Sequence, residues 1–347
     1  MANVVSEQCP TCGAVLKFDT KKDKFVCKYC DNEYTLKKLE EVRKTYGIQK
    51  ELKVIKKING YNCPNCGAQI ITGENVSSTS CVYCKSTALM FDRLTDVYAP
   101  TKLITFKYDK NEAIKAFKNK CKHRPLIPKD FNNEKNIQDM EGLYVPFWLY
   151  DCTNNYSLTA KCTKVTTWST SSYYYTKTDT YHVDCDGILN FNKVPTDGSS
   201  RFDDKIMNAI EPFNYDEFKD FDMAYLSGFI SEKYDVDKDK AFETALNRID
   251  NDSKNYVLSK ITGYTTKVVN SNDNNIAQTK TDYVLLPVYV LNIKYKDKIY
   301  HFAMNGQTGK MVGEIPVDKN KLIMTIILSF IIGLVITFII FKVLGYR

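Results

Sequence analysis

The feature that most constrains this chain is a four-cysteine spacing that occurs twice. Two cysteines separated by two residues are followed, after fourteen residues, by a second such pair, and the whole arrangement repeats 54 positions later. The cysteines are Cys9, Cys12, Cys27 and Cys30 in the first copy and Cys63, Cys66, Cys81 and Cys84 in the second. A tight turn between paired cysteines aims both sulfurs at one ion about 2.3 Å away. The spacing therefore predicts two β-rich zinc ribbons, each holding one structural Zn²⁺ through four thiolates.

The residues around the cysteines fit such modules. Gly13 and Gly67 follow the first cysteine pair of each copy and can adopt the positive φ that brings backbone N–H groups close to the thiolates. In the first copy, a short hairpin of Val15–Phe18 and Phe25–Val26 fills the fourteen residues. A module this small owes most of its folding free energy to its metal. The alternative, a disulfide framework, requires an oxidising compartment.

The second constraint lies near the other end of the sequence. Residues 322–341 carry no charge over 20 positions, and a helix of that length spans about 30 Å, the hydrocarbon thickness of a bilayer. We expect one transmembrane helix there, within an anchor at 318–347. The first residues show no basic segment followed by an apolar one, so we expect no signal peptide. The interpretation is a tail-anchored, single-pass membrane protein with its bulk in the cytoplasm.

The predicted membrane helix carries a stripe of small and hydroxylated residues. They recur every four positions, at Thr325, Ser329, Gly333 and Thr337. Small residues let helices approach closely in lipid, so the stripe predicts a lateral contact with a second copy or with a membrane-protein partner. The alternative is that each hydroxyl bonds the carbonyl four residues earlier and that the stripe faces lipid.

The segment between the ribbons is basic. Leu36–Lys57 holds eight Lys or Arg against three Glu, and its apolar residues fall at three- and four-residue steps. This pattern predicts an amphipathic helix with a break near Gly47. A solvated linker packed on the ribbons is the favoured interpretation, and a contact with nucleic acid or anionic headgroups is the alternative. The predicted domains are the first ribbon at 1–35, the linker at 36–60, the second ribbon at 61–97, a central domain at 98–317 and the anchor.

The central domain has the pattern of an α+β fold. The predicted elements are helices at 111–122 and 238–249, strands at 143–150, 283–295 and 298–304, a long hairpin at 158–185 with its tip near 169–172, and a turn at 305–310 with Gly309 in the left-handed region. A helix leads to a proline-bearing strand twice, before Pro146 and before Pro287, which indicates two related halves. A proline early in a strand suits a strand start or an edge.

The residues of the central domain point away from catalysis. Its charges balance at 29 basic and 29 acidic residues, whereas the basic excess of the chain, +7 in total, lies at the two ends. A neutral surface argues against broad nucleic-acid binding. We find no P-loop, GxGxxG, GxSxG or HExxH motif, so we expect no enzyme activity.

Two further groups in the central domain carry alternatives. Cys152, Cys162, His182 and Cys185 have no ribbon spacing, so we expect buried structural residues rather than a third metal site. Tyr173–Tyr175 is either a partner-binding patch or, as is commoner for aromatic strand residues, part of the core.

The order of these parts resembles a bacterial family of TFIIB-type zinc-ribbon membrane proteins, the YdjG-like proteins. The cysteine repeats, Tyr144–Trp148, Leu286–Tyr289 and the single C-terminal span carry the resemblance. It implies zinc ribbons at the cytoplasmic face of the plasma membrane, beside a membrane-protein partner, an SPFH-type protein and a PspA-type membrane-stress protein. The expected function is a non-enzymatic scaffold that recruits partners at the bilayer. A membrane-tethered zinc-ribbon protein that binds nucleic acid, of the transcription or replication type, is the alternative.

Overall fold

The computed structural model describes residues 9–45, 57–65, 67, 69–72, 81, 90–95, 100–122, 124–128, 130–131, 133, 137, 139–226, 229–296, 298–343 and 345. In these parts, a small N-terminal sheet, a large central sheet and one C-terminal apolar helix follow one another along the chain.

The first ribbon is a three-stranded antiparallel sheet followed by a helix. Its elements are β1 (Leu16–Asp19), β2 (Lys24–Cys27), β3 (Glu33–Tyr34) and α1 (Leu36–Thr45). Leu16, Phe25 and Leu39 are buried and form its small apolar core. The predicted hairpin is confirmed, with Leu16 opposite Cys27.

The second ribbon continues the central sheet. Its strands are β4 (Lys57–Asn62), β5 (Gln69–Thr72) and β6 (Met90–Thr95), with β4 between the other two. Strand β5 pairs with a strand of the central domain, where Ile71 lies opposite Ser231. The expected helical pattern up to Lys57 and Ile58 is wrong at that end, because Ile58 pairs with Leu94 in the sheet. The break near Gly47 lies outside the described residues.

The central domain alternates strands and helices. Its elements are β7 (Lys102–Leu103), α2 (Lys110–Lys122), β8 (Glu141–Ser169), β9 (Tyr174–Asp197), α3 (Asp204–Ile210), β10 (Lys219–Asp220), β11 (Ile230–Glu232), α4 (Lys238–Lys260), β12 (Thr266–Tyr295), β13 (Lys298–Asn305) and β14 (Met311–Gly313). Eleven of the described strands form one sheet along the path β10-β7-β12-β8-β11-β5-β4-β6, with β13 and β14 continuing from β12 and with β9 beside β8. Gly309, with φ of 78°, closes the turn after β13 as predicted.

Three long strands form an arm. Strand β12 follows β8 as far as Thr163, which lies opposite Thr266, and beyond this point only β8 and β9 continue to a tip at 170–173. The predicted long hairpin is confirmed and is longer than expected. Helix α4 also runs past the predicted end, to Lys260, because Val257 packs against Leu158 and Ala160 on one face of the arm.

The two proline-bearing strands lie side by side in the middle of the sheet. Val145 of β8 faces Leu286 of β12, and Pro146 and Pro287 lie one position to either side. The expectation of a strand start or edge is therefore wrong. Strands β8 and β12 pair with each other on one side, and on its other side each strand changes its pairing partner near the proline. Strand β8, for example, pairs there with β11 up to Tyr144 and with β9 from Phe147 onward. The missing N–H of proline falls in that gap in the pairing.

Matching hydrogen bonds relate the two halves. The N–H of Gly198 donates to the carbonyl of Pro146 at 2.8 Å, and the N–H of Gly306 donates to that of Pro287 at 2.8 Å. The indole N–H of Trp148 donates to the carbonyl of Val236 at 2.9 Å. At the equivalent position, the hydroxyl of Tyr289 donates to the carbonyl of Tyr108 at 3.0 Å. The central domain is thus an internal duplication about an approximate two-fold axis between β8 and β12.

Helix α5 (Lys319–Val343) is long and apolar enough to cross a membrane. Its side chains are exposed from Leu322 to Lys342, and Asp318 caps its first turn by accepting the N–H of Asn320 at 3.0 Å. An apolar helix that is exposed on all faces suits lipid rather than water, which is consistent with a single-pass membrane protein.

Candidate metal centres and the exposed hairpin

The four cysteines of the first ribbon converge on one point. Their sulfur atoms all lie within 4.8 Å of one another. The sulfur of Cys12 is 3.5 Å from those of Cys27 and Cys30, and Cys9 is 3.5 Å from Cys30. Four sulfurs at about 2.3 Å from a tetrahedral Zn²⁺ lie roughly 3.8 Å apart. The cluster therefore fits one tetrahedral zinc ion, which would hold the two cysteine turns together.

Backbone turns shape both halves of this cluster. The N–H of Gly13 donates to the carbonyl of Cys9 at 2.8 Å, and the N–H of Asp31 donates to that of Cys27 at 2.9 Å. Gly13 has a φ of 73°, as predicted, and Asp31 takes the same left-handed conformation with a φ of 55°. Asp31 directly follows its cysteine pair as Gly13 does, and aspartate tolerates this region better than most side chains.

The electrostatics of the cluster favour bound metal. Burial raises the pKa of the Cys9 thiol, but hydrogen bonds from the Tyr34 hydroxyl and nearby backbone N–H groups outweigh burial and bring the pKa to about 6. At Cys12, the N–H of Ala14 lowers the pKa, but burial and the other three sulfurs raise it to about 12. Ionisation of one thiol therefore makes ionisation of the others less favourable, and a bound divalent cation offsets the repulsion among the four thiolates. Tyr34 is a residue that the sequence pattern did not indicate.

The second ribbon shows part of the same design. Cys63 and Cys81 are buried, and the N–H of Gly67 donates to the carbonyl of Cys63 at 2.7 Å with a φ of 71° at the glycine. Cys66 and Cys84 lie outside the described residues. The turn matches that of the first ribbon, and the second zinc ion stays a prediction.

Both ribbons contact the central domain. In the first, Phe18 meets Tyr225 edge to face at 5.2 Å, and the Lys21 ammonium lies 2.9 Å from the Asp109 carboxylate. In the second, Arg201 donates to the carbonyl of Gly67 at 2.6 Å.

Arg201 also binds the central domain itself. Its guanidinium pairs with Glu232 at 2.8 Å and with Asp235 at 2.9 Å. The Glu232 side chain is fully buried. Arg201 therefore joins the cysteine turn of the second ribbon to the centre of the sheet, a role that no local sequence pattern signals.

The hairpin tip exposes its aromatic side chains. Trp168 is 48% exposed, Tyr173 is 69% and Tyr174 is 77%. The Trp168 ring stacks on Tyr175 with centroids 5.4 Å apart. The interpretation of Tyr173–Tyr175 as core is therefore wrong, because the tip extends past α4 and past the end of β12, so that nothing among the described residues covers it.

The structure separates the four residues considered as a third metal site, Cys152, Cys162, His182 and Cys185. Cys162 and Cys185 face α4 in one apolar cluster. His182 pairs with Lys161, which is the neighbour of Cys162 in β8. Because successive side chains of a strand point to opposite faces, the His182 side chain projects from the face of the arm opposite to Cys162. Cys152 is buried in the main core. These four residues do not converge on a point.

Within α5, the hydroxyls of the stripe bond their own helix. Thr325 donates to the carbonyl of Lys321 at 2.7 Å, Ser329 to that of Thr325 at 2.7 Å, and Thr337 to that of Gly333 at 2.8 Å. A Cβ at Gly333 would meet no described atom within 4 Å, so this face is open. A lateral contact through the stripe stays a prediction.

Comparison with known proteins gives one relative over nearly the whole chain. No family model matches the sequence, and no solved structure matches it. The uncharacterized protein YdjG of Bacillus subtilis (strain 168) is 33% identical over 318 residues, which cover 92% of this chain and 92% of YdjG. A match of this length takes in the whole central domain at 98–317. The chain therefore belongs to the YdjG family.

Proposed function

We propose that this protein is a non-enzymatic scaffold, anchored in a membrane by α5, that recruits partner proteins. The observation that carries the proposal is the aromatic tip of the arm, with Trp168 and Tyr173–Tyr175 exposed together. Soluble surfaces rarely expose such a cluster unless it contacts a partner, and Tyr and Trp are enriched in protein interfaces.

The composition of the tip supports this role. From Val165 to Thr176 there is no charged residue, and serines and threonines flank the aromatic residues. Such residues supply large, rigid contact area with few rotatable bonds, and their polar atoms can bond a partner. The aromatic rings stack mainly on one another, so they add little to the stability of the central domain.

The arm also gives the tip reach. Strands rise about 3.3 Å per residue, so the stretch of β8 from Val145 at the two-fold axis to Ser169 is about 80 Å long. Pairing with β9 along its length stiffens it. A stiff arm with exposed aromatic residues at its end suits a protein that holds another at a distance.

The ribbons are the second recruiting surface in this proposal. The knuckle between Cys27 and Cys30 presents Tyr29 with 82% of its side chain exposed, beside the exposed Lys28. Structural zinc ribbons hold such turns rigid, which lowers the entropic cost of binding. Recruitment through the ribbons follows from the same surface argument, and recruitment through the Leu36–Lys57 segment is proposed from its basic, amphipathic sequence.

The setting and the partners are proposed from the family resemblance. They are the cytoplasmic face of the plasma membrane, a membrane-protein partner, an SPFH-type protein and a PspA-type protein, in a membrane-stress response. The four cysteines of the first ribbon support a reducing compartment, because thiolate ligands must stay reduced to bind zinc.

The test compares two variants of the tagged full-length chain, purified from membranes. Replacing Trp168, Tyr173, Tyr174 and Tyr175 together with serine removes the tip aromatics, and Tyr256→Ser removes an exposed tyrosine on α4 as the matched control. We expect the SPFH-type and PspA-type proteins to co-purify with the wild type and the control and to be lost from the tip variant. Equal recovery from all three refutes a recruiting role for the tip. Recovery of nuclease-sensitive nucleic acid in place of proteins favours the alternative function.

A further inference from the structure

A cleft lies where the chain leaves the central domain for the membrane helix. Its volume is about 330 Å³, and two chain segments line it, Arg124–Ile127 after α2 and Ile315–Val317 after β14. Apart from Arg124, the lining residues are apolar. The N–H of Asp318 donates to the carbonyl of Leu126 at 2.8 Å, so the cleft is fixed against the start of α5.

The start of α5 also sets the distance of the cleft from the bilayer. Val317 precedes Leu322, the first residue of the uncharged stretch, by five positions. Even fully extended, five residues cover only about 17 Å, and most of this stretch is helical and shorter. The headgroup layer of a bilayer is roughly 5–8 Å deep on each side. The cleft is therefore at the height of the lipid headgroups whenever α5 spans the membrane.

The charged side chain among the residues that line the cleft is basic. Arg124 lines it, and Lys120 lies one turn earlier, with its ammonium donating to the carbonyl of Met311 at 3.3 Å. Burial and the neighbouring Arg124 charge lower the pKa of Lys120. Among the described residues, neither forms an ion pair. The nearby carboxylate of Asp318 is used by the backbone N–H groups of Asn320 and Lys321.

We propose that this cleft binds one anionic phospholipid from the bilayer that holds α5. The phosphate lies at Arg124 and Lys120, and an acyl chain leaves along Leu126, Ile315 and Val317 toward the hydrocarbon. Val317, which is 53% exposed, gives the acyl chain an apolar surface at the mouth of the cleft. The chemistry of the cleft, cations at one end and apolar walls at the other, matches the two ends of such a lipid. The proposal rests on the membrane insertion of α5, which belongs to the proposed function.

The test is native mass spectrometry of the full-length protein taken from nanodiscs that contain phosphatidylcholine and phosphatidylglycerol. We expect the wild type to retain one phosphatidylglycerol. Arg124→Gln lowers this occupancy by roughly fivefold, the usual effect of one basic residue at an anionic membrane surface, and Arg124→Gln with Lys120→Gln lowers it further. Lys115→Gln, an exposed position on α2 away from the cleft, is the matched control and keeps the occupancy of the wild type.

Carbonate extraction of membranes, run on every variant, separates two kinds of failure. If all variants are inserted but the wild type retains no phosphatidylglycerol, or retains phosphatidylcholine equally well, the lipid site is wrong and the scaffold proposal stands. The lipid site is also wrong if Arg124→Gln leaves the occupancy unchanged. If the wild type itself is released by carbonate, both proposals fail.

Discussion

Replacing Arg201 tests how the second ribbon is held to the central sheet. In Arg201→Met, the fully buried Glu232 loses its cation and the carbonyl of Gly67 loses its donor. Removing one partner of a buried ion pair costs about 3–5 kcal/mol, because a charge stays in a medium of low polarity. For a domain of this size, 1 kcal/mol shifts Tm by about 2–4 °C, so we expect a Tm lower by roughly 6–20 °C.

The assay is thermal unfolding of the full-length protein in detergent, followed by intrinsic tyrosine and tryptophan fluorescence. Arg201→Met with Glu232→Leu should recover most of the loss, because paired apolar replacements of buried ion pairs are often neutral. Lys177→Met is the control: its pair with Asp179 lies on the surface, and such pairs contribute less than about 1 kcal/mol. A Tm of Arg201→Met within about 2 °C of the wild type, or a double variant as unstable as the single one, would show that the Arg201–Glu232 pair does not stabilise the protein in this way.

Two other predictions concern metal content and pH. The wild type should carry two zinc ions per chain by plasma emission spectrometry. Cys12→Ser and Cys66→Ser should each leave one zinc ion and should not change membrane insertion. One zinc ion in the wild type, or disulfides among the eight cysteines, would contradict the prediction of two zinc ribbons. Burial and the Asp204 charge raise the pKa of Asp197 from 3.8 to about 7, so the native state holds a proton that the unfolded chain releases. The stability from this proton is present below about pH 4 and is lost as the pH rises through about 7. Asp197→Asn should therefore gain Tm relative to the wild type between about pH 5 and 8, and a constant offset between the two curves argues against it.

Local chemistry in the sequence predicted the small elements well. Cysteine spacing and the glycines after each first pair predicted the first ribbon, because ligand geometry and positive φ leave few alternatives over so short a range. The apolar stretch predicted α5 for a similar reason, since its signal needs no partner in sequence.

Long-range pairing explains what the sequence did not reveal. The local sequence around Pro146 and Pro287 is typical of strand starts. In the sheet, however, the two prolines lie at gaps in the pairing on either side of a two-fold axis. That position follows from how the strands pair, which the local sequence does not contain. A location of Tyr173–Tyr175 in the core was expected because aromatic residues in strands are usually buried. Their exposure is set instead by how far β12 and α4 extend along the arm. The Arg201 link joins residues 134 positions apart, with no spacing to mark it.

Photocrosslinking from the hairpin tip in intact cells tests the scaffold proposal most directly. A benzophenone amino acid replaces Tyr174, the most exposed aromatic residue of the tip, or Tyr256 on α4 as the control. We expect position 174 to yield a discrete protein adduct, identified as an SPFH-type or PspA-type protein, and position 256 to yield none. Adducts with lipid or nucleic acid alone, or the same protein adducts from both positions, would contradict it.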